Sequence, residues 1–361
     1  MAADLRIQLN TPMADDNTGE VRGIHHERVS EWLVANIDGV TAPVSFELIV
    51  GGHSNLTYCV TDASARKLVL RRPPLGAVLA TAHDMGREHR IISGVGQTAV
   101  PVPDALGLCE DDAVNDAPFY VMNFVEGTVL ENSQQTSRLL PEESGRAALG
   151  ASVVETLATL HQVDPDAVGL GDLGRKEAYL DRQLKRWRGQ WEKSKTRELP
   201  EMEESYELLL AAKPEQKYTG IVHGDYRLGN MLSGADGKLK AVLDWELCTL
   251  GDTLADVGYI MNNWAQLDDP QTEESAISPT AVSGFPTRAE FIEAYAKRTG
   301  HEVANVDYYR SFQYWRLAAI VEGVMARYLK GVMGNEADTS VFKTRIDRLA
   351  EAALQLVRSL G

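Results

Sequence analysis

One stretch constrains this chain more than any other: IVHGDYRLGNMLSGADGKLKAVLDWE, residues 221–246. Within it GADG separates the apolar runs NMLS and LKAVLD and reads as a hairpin turn, so a β-rich island sits inside a region whose flanks are helical. Asp225 and Asn230 fall on the loop that enters the hairpin, and Asp244 ends its second strand. Asp, Asn and Gly dominate turns anyway, and for any one of these residues a turn role would suffice. The ordered set HGDxxxxN, a strand-end Asp fourteen residues later and then GDxxxD asks for more than turn chemistry. Phosphoryl transfer is a reaction that needs such a set. It requires an in-line acceptor hydroxyl and positive charge against the phosphate oxygens, with little covalent work by the protein. A carboxylate on a tight loop, Asp225, can orient the hydroxyl and take its proton. A carboxamide and a second carboxylate, Asn230 and Asp244, can share hard oxygen ligands around Mg²⁺, which keeps most of its waters.

The rest of the chain fits two lobes. Its 361 residues exceed the ~150 of a typical single domain, and 44% hydrophobic with 24% charged residues is a globular composition. The first 25 residues read as a polar tail. From 26 to 127 one amphipathic helix (Val29, Trp32, Leu33, Ile37) precedes strands at ELIV, LTYCVTD, KLVLRR, VPVPDALGLCED and PFYVMNFVEG, with a helix at HDMGREHRIISGV. Residues 128–361 read as helices apart from the island, with a hinge near 123–128. The expected class is α+β, a small antiparallel sheet joined to a larger helical lobe.

HGDxxxxN with the strand-end Asp244 resembles the catalytic loop HRDxxxxN and the metal-binding DFG aspartate of protein kinases. It is more similar to the aminoglycoside phosphotransferase family, whose loop reads HGD and whose metal aspartate is followed by Trp. More narrowly, HGDYRLGNML with VLDWELCTLGDTLADVGY looks like the branch that includes the kinase domains fused to animal acyl-CoA dehydrogenases, and the resemblance runs from Leu48 to Ala326. It implies a protein-kinase-like bilobal fold and a small-molecule kinase using ATP, or GTP, with Mg²⁺. It implies that His223 packs inward to hold the loop and that Asp256 braces it, neither being catalytic. In the first lobe it implies a glycine loop over the phosphates at Gly51, Gly52, His53, Ser54 and Asn55, a strand-borne cation at Arg71 rather than Arg72, and Glu88 as its ion-pair partner. The hinge from Met122 to Glu126, including Asn123 and Val125, would read the purine.

Charge and spacing bound the partners. The net charge of −16 disfavours nucleic acid and anionic membranes. Three scattered cysteines give no disulfide framework or zinc site, and the N-terminus has no cationic start before an apolar run, so a cytoplasmic protein is expected. The eight histidines offer no HxH or HxxxH pair for a metallohydrolase. Only twelve residues separate Asp244 from Asp256, which leaves no room for a peptide-binding activation segment; the acceptor is expected to be a small molecule. From Arg175 to Arg197 nine Lys or Arg face three acids. That segment either contacts an anionic acceptor such as an acyl-CoA or is a solvated, salt-bridged helix face. A cationic aminoglycoside is therefore not the first expectation. A nucleotide-binding regulator without catalysis is the alternative function, and the sequence is compatible with a monomer or a homodimer.

Overall fold

The computed structural model describes residues 21–49, 55–75, 84–270, 277–331 and 338–360. The first lobe is a five-stranded antiparallel sheet in the order β1-β2-β3-β5-β4. Its strands are β1 (Ser45–Leu48), β2 (Leu56–Thr61), β3 (Lys67–Arg72), β4 (Ala105–Cys109) and β5 (Phe119–Asn123). Helices α1 (His26–Asn36), α2 (Met85–Val95) and the four-residue α3 (Asp112–Asn115) accompany it. Strand β4 starts only at Ala105, since Pro101 and Pro103 have no N–H to give a ladder.

Period-two alternation sorts the strand residues into two cores. Leu68, Leu70, Phe119 and Val121 pack with Val29 and Leu33 of α1. Val69, Tyr120 and Met122 turn the other way, onto Ile91, Ile92 and Val95 of α2, and their cluster runs on into the second lobe. The same alternation separates Arg71, on the Val69 face, from Arg72, on the Leu70 face.

The second lobe begins where β5 ends. Strand β6 (Thr128–Val129) joins β8 (Met231–Ser233) and β9 (Leu239–Val242) in a three-stranded sheet, so the expected hairpin forms, closed by Gly234 N–H donating to the Lys238 carbonyl at 2.9 Å. A second small sheet pairs β7 (Gly220–Val222) with β10 (Thr249–Gly251). Around them stand α4 (Ser133–Leu139), α5 (Glu143–Gln162), α6 (Tyr179–Ser194), α7 (Pro200–Ala211), α8 (Leu254–Asn263), α9 (Arg288–Thr299), α10 (Val306–Leu329) and α11 (Thr339–Arg358). Helix α10 is the axis of the lobe and packs on α6, α8 and α11. It buries Tyr309, Phe312, Trp315, Ala318 and Ala319. The sequence did not signal α3, α4 or the β7/β10 pair, all too short to set up a periodicity.

Candidate active site

Strand β7 leads directly into the loop 223–230, and its geometry begins with glycine. Gly224 has φ +86°, a left-handed conformation that lets the chain turn sharply after His223. Both peptide N–H groups at this turn donate to one buried carboxylate, Asp256 of α8: His223 N at 2.6 Å and Gly224 N at 2.8 Å. Behind Asp256 lies His161 Nε2 at 3.4 Å, whose Nδ1 is 2.8 Å from the Tyr295 hydroxyl, which in turn is 3.0 Å from His301 Nδ1. Burial raises the carboxyl pKa of Asp256, and the His161 hydrogen bond and charge more than offset this, so it lies below its ordinary value. Asp256 therefore clamps the loop backbone as an anion.

His223 is fully buried. Its Nε2 donates to the Leu243 carbonyl at 3.0 Å, and its Nδ1 accepts the Asp225 N–H at 3.2 Å, which fixes the tautomer. It ties the loop to the end of β9 and has no free nitrogen for proton transfer. Trp245, buried, lies against its face at 4.7 Å.

Asp225 is held from three sides. Asn230 Nδ2 donates to Oδ2 at 2.6 Å and to the Asp225 carbonyl at 2.9 Å. Arg227 Nε donates to Oδ1 at 3.2 Å, and the Tyr259 hydroxyl of α8 donates to the same oxygen. Burial, with Asp225 beside it, raises the Tyr259 phenol well above its ordinary value, so it remains a donor. Neither Tyr259 nor Arg227 was singled out from the sequence; the hint was the helical register that puts Tyr259 three residues after Asp256.

Asp244 stands at the end of β9 with φ +66°. A non-glycine residue in this region is uncommon. Leu243 N–H donates to the Asn230 carbonyl at 2.8 Å, so Asn230 and Asp244 are adjacent in space. With its amide nitrogen spent on Asp225, Asn230 keeps Oδ1 as an acceptor, and Asp244 supplies carboxylate oxygens. Two oxygen donors on a cleft fit Mg²⁺ better than a transition metal. Among the described residues no group of three or more His, Cys, Asp or Glu gathers to bind a metal otherwise.

The first lobe meets this constellation through Arg71. Its guanidinium lies 3.5 Å from Asp244 Oδ1 and 3.7 Å from Glu88 Oε2. Glu88, 2% exposed, accepts from Asn55 Nδ2 at 3.0 Å and from the Tyr120 hydroxyl at 2.9 Å. Burial raises the Glu88 carboxyl pKa, with Arg71 and its two donors opposing. Arg72 points the opposite way, to the Gly23 and Asn115 carbonyls. Arg87 of α2 donates to the Glu246 and Cys248 carbonyls, so the helix carrying Glu88 is also tied to the segment after Asp244.

Two residues expected at the nucleotide make other bonds as well. Asn55 turns its side chain to Glu88 and so supports the ion pair; Gly51, Gly52, His53 and Ser54 lie outside the described residues. Asn123 cannot read a purine with its N–H, which donates to the Asp104 carbonyl at 3.0 Å, and its side chain also pairs with Asp104. Asn123 closes the sheet at its β4 edge. Val125 is half-buried.

The model of the phosphotransferase enzyme family matches residues 45–310 of the chain. Mouse acyl-CoA dehydrogenase family member 10 is 35% identical over 81% of the chain and 27% of its own length. Human acyl-CoA dehydrogenase family member 11 is 31% identical over 84% of the chain and 39% of its own length. The chain thus spans about a quarter to two fifths of these relatives. Among solved structures, a Ralstonia eutropha protein assigned as an aminoglycoside phosphotransferase superposes with a TM-score of 0.79 at 30% identity, covering 92% of this chain and 98% of that one. An amicoumacin kinase solved with AMP-PNP, Ca²⁺ and its substrate shares the fold at a TM-score of 0.56 and 15% identity. With the loop, the strand-end aspartate and the cross-lobe arginine in one cleft, this chain belongs to the phosphotransferase enzyme family.

Proposed function

We propose that the chain transfers the γ-phosphate of ATP, or GTP, to a hydroxyl group of a small molecule, with Mg²⁺ held by Asn230 and Asp244. The carrying observation is that Arg71, from the first lobe, reaches to within 3.5 Å of Asp244 beside a loop that restrains Asp225 from three sides. In this reading Arg71 meets phosphate oxygens, with Glu88 fixing its direction, and a guanidinium suits that task because it stays charged and can bind two oxygens at once. Asp225 accepts the acceptor's hydroxyl proton and aligns the oxygen. Asn230 also keeps Asp225 oriented. The Mg²⁺, when bound, supplies charge neutralisation on the phosphates. The purine would lie against the hinge at Val125 and the segment that follows it.

For the acceptor, we favour an anionic hydroxyl compound, with a hydroxyacyl-CoA as one form, over a polycationic aminoglycoside. The basic segment on α6 supports this reading, as does the sequence similarity to proteins named for acyl-CoA dehydrogenation. The test is nucleotide consumption by the purified chain across a panel of hydroxyacyl-CoAs, hydroxy acids and aminoglycosides, with Asp225→Asn as the blank. Acceptor-dependent ADP formation that vanishes in the variant supports the reading. ADP formation indifferent to both acceptor and variant overturns it.

A further inference from the structure

The basic segment is not uniform once its ion pairs are drawn. Lys176 pairs with Asp166, Arg188 with Glu192 and Glu203, Lys195 with Glu192, Glu198 and Glu203, and Arg197 with Asp347. Arg186 has no carboxylate partner among the described residues, and it lies on the ring of Trp187, 5.0 Å from its centroid. The same ring carries a second guanidinium, that of Arg316 from α10, at 5.4 Å.

Arg316 is 7% exposed, and it too has no carboxylate partner among the described residues. Its Nε is buried without any hydrogen bond. Nη1 donates to Gln313 Oε1 at 2.9 Å, and both terminal nitrogens reach the Gly224 carbonyl only at 3.4 Å. A guanidinium cannot discharge itself by losing a proton. Its surroundings are a carbonyl, an amide oxygen and an aromatic face, so this enclosed guanidinium lacks a counter-ion that an anion would supply. Its position is specific. Gly224 immediately precedes Asp225, so an anion on Arg316 stands one residue from the carboxylate that faces the acceptor hydroxyl.

We infer that Arg316, with Arg186 across Trp187, binds the anionic group of the acceptor and so selects for it; the inference rests on the kinase reading above. The chemistry shared by its ligands is a carboxylate or phosphate attached to the molecule that carries the reactive hydroxyl.

The experiment uses the full chain with Mg·ATP and three acceptors: 3-hydroxybutyrate, which offers a carboxylate; 3-hydroxybutyryl-CoA, which offers phosphates; and the cation kanamycin. Binding of each to the nucleotide-loaded protein is measured by calorimetry alongside turnover, so recognition is read even without chemistry. Arg316→Met should raise the Kd and KM of the preferred anion by about tenfold or more, the scale of a lost charged hydrogen bond. Arg316→Lys should recover part of the loss. Arg186→Ala, at an exposed site, should raise both by about threefold, less at high salt. Nucleotide affinity should stay within about twofold throughout, and so should every constant in Arg358→Gln, which removes one charge at the far C-terminal helix. If Arg316→Met fails to fold, Arg316→Lys and Arg186→Ala decide. Unchanged anion constants in those two variants overturn the inference, as does preference for kanamycin or binding of neither anion. Anion binding that needs Arg316 but yields no phosphorylated product in wild type would overturn the kinase reading alone.

Discussion

Arg71 of the sheet and Asp244 of the helical lobe approach to 3.5 Å, while Arg72, the next residue on the same strand, faces away from the cleft onto the Gly23 and Asn115 carbonyls. Neighbouring strand residues point to opposite faces, so these two arginines must differ in what they do. Arg71→Ala should weaken Mg·ATP binding by about tenfold, because a charge-assisted contact of ~1.5–3 kcal/mol is lost, and it should also lower stability, because buried Glu88 loses its cation. Arg72→Ala should leave nucleotide affinity alone and cost only stability, ~1–3 kcal/mol through carbonyls left without a donor. Calorimetry and urea unfolding on both variants check the pair. Equal nucleotide losses would mean that the cleft does not distinguish them.

Asp225 and Asp244 should also separate by readout. Asp225→Asn keeps the shape of the loop but removes a proton acceptor, so nucleotide binding should persist while turnover falls by ~10² or more. Asp244→Ala should remove the Mg²⁺ dependence of nucleotide binding, as one of two protein oxygen donors disappears. Titration of nucleotide with and without Mg²⁺ distinguishes them. An Asp244→Ala protein that still binds nucleotide more tightly with Mg²⁺ would take Asp244 out of its role.

Much of this site was legible because local spacing encodes it. HGDxxxxN and the strand-end aspartate are separated by a hairpin whose turn, GADG, is itself readable, so the sequence carries the relative placement of Asp225, Asn230 and Asp244. Strand alternation, a local rule, set Arg71 and Arg72 on opposite faces, and the resemblance chose Arg71 between them. What escaped depends on contacts between distant segments. Tyr259 reaches Asp225 from the next helix, Asn55 and Tyr120 meet at Glu88, and His161 reaches Asp256 from 95 residues away. The resemblance placed Asn123 in the hinge, and its pairing with Asp104 was not foreseen because it depends on the register of β4 against β5. That register carries an irregularity between Ala105 and Gly107, which no window of sequence reports.

The buried chain behind the loop predicts a pH dependence. Burial holds the His301 imidazole down to about 4, against an ordinary 6.5. Between those values the unfolded chain binds a proton that the folded chain refuses, so this residue makes stability fall as pH drops from 6.5 towards 4. His301→Phe keeps a ring against Tyr218, where the native imidazole stacks at 3.8 Å, and removes the titration. Urea midpoints measured across that range should fall less steeply in the variant than in wild type. An identical slope would show that His301 titrates alike in both states.

Gly224 offers the sharpest separation of backbone strain from catalytic placement. Its φ of +86° disfavours any side chain, and a Cβ there would sit 2.9 Å from the Leu247 carbonyl oxygen. Gly300, which ends α9 at φ +73°, carries the same conformational penalty, but a Cβ on it would meet nothing within 4 Å. Gly300→Ala should therefore cost only the left-handed backbone term, ~1–2 kcal/mol, and leave turnover unchanged. Gly224→Ala adds a close contact of the overpacking kind, typically ~1–3 kcal/mol, which the loop can relieve only by moving. Its N–H is fixed to Asp256 and its carbonyl faces Arg316, so displacement passes to Asp225, the next residue. A shift of about 1 Å at a reacting group is enough to lower turnover by ~10²-fold. Urea unfolding and turnover on both variants give a two-by-two comparison. Gly224→Ala should lose both stability and rate, and Gly300→Ala stability alone; full turnover in Gly224→Ala would mean that Asp225 does not depend on the loop geometry that Asp256 and His223 hold.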